Sequence, residues 1–287
     1  MTRTAYVNGR YLHHGEAAVH VEDRGYQFAD GVYEVLAIHQ GRPMDLQGHM
    51  ERLGRSLGEL GISWPVSKRA LSVVMNEVIR KNRLKEGFLY LQITRGVAPR
   101  NHAFPKDCDP SLVMTVWRRR PLVSPIDEIG VEVITIPDIR WRRCDIKSVS
   151  LLPNVLGKQQ AVEAGAYEAW MVDSDGYVTE GTSSNAWIVT PSNQLITRDA
   201  SRAILNGITR LAVLGLAQAN SMDFVERAFT VEEAKGAKEA FVTSTTSLVK
   251  PVASIDGTKI GDGGAGPLSA KIAAFYAQHL EGQGSAA

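Results

Sequence analysis

The stretch Val178-Thr179-Glu180-Gly181-Thr182-Ser183-Ser184-Asn185 decides how this chain is read. Apolar neighbours on both sides make it a short strand, a tight turn and a second strand, with strands expected over 169–172 and 186–189 around it and a turn at Ser174-Asp175-Gly176. Glu180, followed by a glycine and three hydroxyl residues, is either a carboxylate set among hydrogen-bond partners or one charge of a polar hairpin. Outward from there, 131–136 is a β-branched run, and a helix follows over about 153–163 with Pro153 in its first turn. A second helix, 208–216, is entered through Asn206-Gly207; a strand covers 240–243. Gly261 to Gly266 forms a glycine-rich loop before a last helix over about 268–279.

The first part of the chain carries its own local signals. Asn8-Gly9 lies between Ala5-Tyr6-Val7 and Tyr11-Leu12 and suits a type I′ hairpin turn. A strand over 32–38 turns at Gln40-Gly41 and returns toward Met44. Met50, Leu53, Leu57 and Leu60 repeat at helical spacing and stop at Gly61. Ser67 caps a further helix, and strands over 88–94 and 112–117 enclose a loop holding Arg100, Asn101 and His102. Arg118-Arg119-Arg120-Pro121 through Ser124-Pro125 reads as a solvated connector. Helices and short strands mix without regular βαβ alternation, which implies an α+β chain of two domains, 1–120 and 127–287, joined by a linker at 121–126. A length of 287 residues agrees with roughly 150 residues per domain.

Composition narrows the function. With 32 Lys and Arg against 31 Asp and Glu, the chain has no electrostatic footprint for nucleic acid or an anionic membrane. No apolar run approaches the ~18 residues of a membrane helix, and the first residues lack the apolar core of a signal peptide. Two cysteines, Cys108 and Cys144, supply no zinc-ligand spacing and no disulfide framework, so no metal is expected and a reducing cytoplasm is.

Four clusters carry chemistry-bearing residues. In Arg142-Arg143-Cys144-Asp145-Ile146-Lys147-Ser148, a lysine near a strand end is either a nucleophile able to form a Schiff base or an ordinary surface lysine. Glu180 and its hydroxyls are the second cluster. The third is Leu205-Asn206-Gly207-Ile208-Thr209-Arg210, a helix start whose amides and Thr209 hydroxyl suit a phosphate or simply cap the helix. The fourth, Thr243-Ser244-Thr245-Thr246-Ser247, ends a strand with five hydroxyls.

Taken in order with Arg24-Gly25-Tyr26-Gln27-Phe28, Asp30-Gly31-Val32-Tyr33-Glu34-Val35 and Asn154-Val155-Leu156, these segments resemble the class IV (fold type IV) pyridoxal-phosphate aminotransferases from about Ala5 to Asp256. Thr94-Arg95-Gly96-Val97-Ala98-Pro99-Arg100-Asn101-His102 is most similar to the members that act on D-amino acids. The resemblance implies a smaller N-terminal α/β domain and a larger barrel-like C-terminal domain that binds pyridoxal 5'-phosphate. It implies that Lys147 is the catalytic Schiff-base lysine and proton carrier. Glu180 would face the pyridine nitrogen, while Arg52, the Ile208 and Thr209 amides and the Thr245 hydroxyl bind the phosphate. Arg52 has a rival reading as a polar-face residue of its helix. Tyr33, Arg100 and His102 would trap the substrate carboxylate, the Arg-His loop coming from the other subunit of a homodimer. The implied reaction is ping-pong transamination between amino acids and 2-oxo acids, D-alanine plus 2-oxoglutarate giving pyruvate plus D-glutamate. Branched-chain or R-amine transamination, aminodeoxychorismate lysis, and a catalytically silent binding protein are the alternatives. The chain departs from the pattern at Ala29, where a second glycine is frequent, and at Leu248, where an acidic residue is common.

Overall fold

The computed structural model describes residues 3–119 and 129–285. The chain divides into two compact units. The first gathers the described residues up to 119 together with Ile146–Ser150 and the chain from Gly282; the second holds the rest. The linker expected at 121–126 lies outside the described residues.

In the first unit, β1 (Thr4–Val7) and β2 (Arg10–His13) form the hairpin expected at Asn8-Gly9, whose φ values of 44° and 88° are those the turn requires. α1 (Arg24–Phe28), too short to announce itself in the sequence, precedes β3 (Gly31–His39) and β4 (Arg42–Pro43). α2 (Leu46–Leu60) ends at Gly61 in left-handed conformation, and α3 (Lys68–Lys81) begins where Ser67 Oγ accepts from the Ala70 amide at 3.2 Å. β5 (Gly87–Thr94) and β6 (Ser111–Arg118) complete an antiparallel sheet in the order β2-β1-β6-β5-β3-β4. Leu53 and Leu57 of α2 and Leu71, Met75 and Val78 of α3 pack with Leu36, Leu89, Leu91 and Met114 of the sheet.

The segment Ile146–Ser150, expected in the second domain, joins this first unit because the backbone binds it there. Tyr33 N donates to Lys147 O at 3.0 Å, Val149 N to Gly31 O at 3.0 Å, and Lys147 N to Ser56 Oγ at 3.2 Å. Ile146 is part of the same core. At the head of β3, Gly31 allows close approach to β5: a Cβ there would stand 2.8 Å from Ile93 O.

Among the described residues the second unit is built on nine strands, three of its neighbouring pairs parallel and the others antiparallel. They are β7 (Val131–Pro137), β8 (Glu168–Val172), β9 (Val178–Gly181), β10 (Asn185–Val189), β11 (Leu195–Thr197), β12 (Phe224–Glu226), β13 (Glu239–Ser244), β14 (Leu248–Ile255) and β15 (Thr258–Lys259), in the order β12-β11-β10-β13-β14-β7-β8-β9 with β15 on β14. The sheet curls: Val178 N at one edge donates to Phe229 O, just beyond β12 at the other, at 3.0 Å. Trp170, Phe229, Ile188 and Val242 fill its interior. The helices are α4 (Leu152–Glu163), α5 (Ile208–Ala219), α6 (Val231–Lys235) and α7 (Pro267–Ser285). Two α+β units, the second curled toward a barrel, are the expected class. No helix among the described residues is long and apolar enough to cross a membrane.

Candidate active site

Lys147 is held by its backbone against β3, and its half-buried side chain turns to Tyr33, with Nζ 4.3 Å from the ring centroid. An aromatic face attracts an ammonium without taking any of its hydrogen bonds. Among the described residues the amine makes no hydrogen bond or ion pair. Tyr33 is itself fixed by stacking on Tyr90, centroids 5.7 Å apart; burial, with the neighbouring Tyr33, pushes the Tyr90 phenol up to about 12. Arg143, one of the two arginines near the lysine in sequence, is paired with Asp145 at 3.0 Å.

Arg52 lies on α2 but does not stand as a free cation. Its Nε and Nη2 donate to the two oxygens of Glu34 at 2.8 and 2.7 Å, and His49 Nδ1 meets the same carboxylate at 2.7 Å. Glu34 is fully buried. Burial alone would raise its pKa, yet the charge and hydrogen bonds of Arg52, aided by His49, bring it down to about 2. His49 moves below its ordinary value, mainly through burial. Local sequence signals do not show this pairing, because β3 and α2 meet only in the fold.

Arg100 and His102 are exposed. The Arg100 guanidinium lies 4.6 Å and the His102 ring 5.3 Å from the Phe28 ring. Among the described residues neither makes a hydrogen bond or ring contact with Tyr33 or Lys147.

In the second unit Glu180 is buried on β9. It accepts from Asn185 Nδ2 at 3.0 Å, from the Leu205 amide at 3.1 and 3.2 Å, and from the Arg140 guanidinium. Burial would lower the Arg140 pKa, but its hydrogen bonds with Asp138 and the charge of Glu180 raise it instead. The three hydroxyls expected around Glu180 go elsewhere. Thr182, Ser183 and Ser184 all donate to Glu168, which also accepts from the amides of Ala169, Thr182 and Ser183. Side chains on a tight turn point back to the strand beneath, and Glu168 stands there on β8. Arg140, Asn185 and Glu168 are therefore site residues that the sequence reading missed; only Asn185, inside the quoted stretch, was near a signal.

Asn185 extends the arrangement to α5. Its Nδ2 also donates to Leu205 O at 2.9 Å, and a Cβ on Gly207 would lie 2.1 Å from its Oδ1. Gly207 thus brings the start of α5 close to the Glu180 cluster. No side chain caps this helix, which leaves the Ile208 and Thr209 amides as donors. Of the five hydroxyls in 243–247, Thr243 accepts from Trp187 Nε1, Ser244 meets Thr246 and the Ser247 amide, and Ser247 meets Tyr167. Thr245 is half-buried and makes no hydrogen bond among the described residues, so it alone is left for a ligand. Arg52 belongs to the first unit, and Ile208, Thr209 and Thr245 to the second.

In the first unit Lys147 offers an amine with no hydrogen bond among the described residues, a group suited to an aldehyde; in the second, the anchored Glu180 carboxylate suits a ring N–H, and the uncapped amides with the Thr245 hydroxyl suit a phosphate. The described residues hold no cluster able to bind a metal ion.

The comparisons agree with this geometry. The family described as amino-transferase class IV matches residues 31–255, and the chain belongs to that family. It is 46% identical over 267 residues to a D-alanine aminotransferase of Bacillus licheniformis, covering 92% of this chain and 93% of the relative. It is 38% identical to a D-alanine aminotransferase of Staphylococcus haemolyticus, covering 98% and 99%. Among solved structures, a branched-chain aminotransferase of Thermoproteus uzoniensis is 28% identical with a TM-score of 0.85, covering 99% of this chain and 96% of that one. A putative 4-amino-4-deoxychorismate lyase of Legionella pneumophila is 25% identical with a TM-score of 0.83, covering 92% and 96%. The shared fold therefore hosts several reactions.

Proposed function

We propose that the protein is a pyridoxal-phosphate-dependent aminotransferase of D-amino acids, exchanging D-alanine and 2-oxoglutarate for pyruvate and D-glutamate. The observation that carries this reading is Lys147, an amine fixed beside the Tyr33 ring with no hydrogen bond or ion pair among the described residues, in a chain closely similar to D-alanine aminotransferases along nearly its whole length.

When bound, the cofactor supplies an electron-withdrawing ring that stabilises negative charge at the substrate Cα. Lys147 Nζ would hold it at rest and would carry the proton taken from the substrate Cα. Glu180, anchored by Arg140, Asn185 and the Leu205 amide, keeps a proton on the pyridine nitrogen. Arg52, the Ile208 and Thr209 amides and the Thr245 hydroxyl hold the phosphate. Tyr33, Arg100 and His102 bind the substrate carboxylate; the guanidinium fork suits a planar anion. Fixing the carboxylate while Cα–H faces Lys147 selects one enantiomer.

The active species is a homodimer in the cytoplasm. Arg100 and His102 are offered outward, and the same loop and α1 expose Phe104 at 63% and Tyr26 at 77%. Exposed aromatic side chains beside the outward-facing Arg100 and His102 support a surface that meets another chain.

A half-reaction panel tests the proposal. D-alanine shifts the absorbance of the bound cofactor and releases pyruvate, whereas L-alanine and L-leucine do not. Faster reaction with L-leucine would replace it with branched-chain transamination. Pyruvate from 4-amino-4-deoxychorismate without an acceptor would replace it with the lyase reaction.

A further inference from the structure

The loop that carries Arg100 and His102 is gripped from beneath. Arg24 is buried at 3% exposure on α1. Its Nε donates to Asp30 Oδ2 at 2.8 Å, its Nη1 to Asn101 O at 2.5 Å and its Nη2 to His102 O at 3.5 Å. Its backbone N donates to Gly96 O at 2.8 Å, which ties α1 to the start of the same loop. The guanidinium lies 4.8 Å from the Phe28 ring. That ring also receives the Arg100 guanidinium at 4.6 Å and the His102 ring at 5.3 Å.

Asp30 closes the arrangement. It stands three residues before Tyr33, at the head of β3, and is shared between Arg24 and Arg95, whose Nε and Nη2 donate to it at 2.7 and 3.0 Å. Arg95 in turn holds Leu60 O and Gly61 O at 2.7 and 3.1 Å and lies 3.6 Å from the Phe104 ring. Burial would raise the Asp30 pKa, but the two arginines lower it, so the anchor stays charged.

We infer that Arg24 and Phe28 are positioning residues that set the carboxylate affinity of this enzyme. Arg24 turns the Asn101 and His102 carbonyls inward, and Phe28 gives the Arg100 and His102 side chains a common resting face. Both act through Arg100 and His102 and touch no reacting atom. The inference rests on the proposed trapping of the substrate carboxylate by Arg100 and His102.

The test is steady-state kinetics of the purified holoenzyme with D-alanine and 2-oxoglutarate, for Arg24→Met, Phe28→Leu, Arg100→Ala and the doubles with Arg100→Ala. Cofactor absorbance and melting temperature are recorded on each. Arg24→Met is expected to raise KM about tenfold, the scale of a lost charged donor. Phe28→Leu should raise it about threefold, the scale of a lost cation–π contact. In both, kcat changes less than about twofold, with cofactor absorbance retained. In the Arg100→Ala background each added substitution has little further effect, because residues acting through one group are not additive.

Full additivity with Arg100→Ala, or a fall in kcat at constant KM, overturns the inference while leaving the trap standing. An unchanged KM in Arg100→Ala itself overturns the trap, and the inference with it. Should Arg24→Met fail to fold, Phe28→Leu, at a half-buried side chain, decides the matter alone.

Discussion

Replacing Glu34 by Gln removes the carboxylate that both Arg52 and His49 contact in a buried group. The side-chain exposures are 1% for Glu34, 10% for Arg52 and 3% for His49, so water does little to screen what remains. A carboxyl held near 2 rather than 4.5 is stabilised as its anion by about 3 kcal/mol. Removing one member of a buried ion pair leads to a similar figure, about 3–5 kcal/mol. At about 2–4 °C per kcal/mol for a domain of this size, Glu34→Gln should melt roughly 6–12 °C below the parent at neutral pH. Because the folded pKa is depressed, the parent's extra stability is present above 4.5 and is lost as pH falls from there toward about 2. The gap between parent and variant should therefore narrow across that window. The assay is thermal unfolding followed by circular dichroism at pH 7, 5, 4 and 3. Melting points that coincide at pH 7, or a gap as wide at pH 3 as at pH 7, would refute the reasoning.

Three further outcomes follow from the second unit. Glu168→Ala leaves the Thr182, Ser183 and Ser184 hydroxyls without their shared acceptor and should destabilise by about 3 kcal/mol or more, read by urea unfolding; a loss below about 1 kcal/mol would show that the turn satisfies itself. Gly207→Ala drives a Cβ to 2.1 Å from Asn185 Oδ1 and should weaken cofactor binding at least tenfold by absorbance titration; unchanged affinity would separate this turn from the phosphate. Thr245→Val should raise the cofactor dissociation constant about tenfold with little change in melting temperature, since its hydroxyl makes no hydrogen bond among the described residues; the reverse pattern would contradict its assignment.

Sequence signals that act within one turn were legible. Asn8-Gly9, Gly61 and Ser67 place their hairpin, helix end and cap as expected because each works through its own backbone. Lys147, Glu180 and the start of α5 could be picked out because their motifs are contiguous. What holds them was not legible. Glu34 meets Arg52 only when β3 packs on α2, Arg140 reaches Glu180 across 40 residues, and Lys147 is seated by Gly31 and Tyr33, more than 110 residues away. The hydroxyls of 182–184 misled because proximity in sequence suggested Glu180, whereas the turn directs them to Glu168 on the neighbouring strand. Such partners come from strand order, which local periodicity does not encode.

The most direct measurement is peptide mapping by mass spectrometry of the yellow holoprotein after borohydride reduction. The account predicts a single pyridoxyl adduct on the peptide containing Lys147, and none in Lys147→Ala. An adduct on another lysine, or one that survives the substitution, would contradict it.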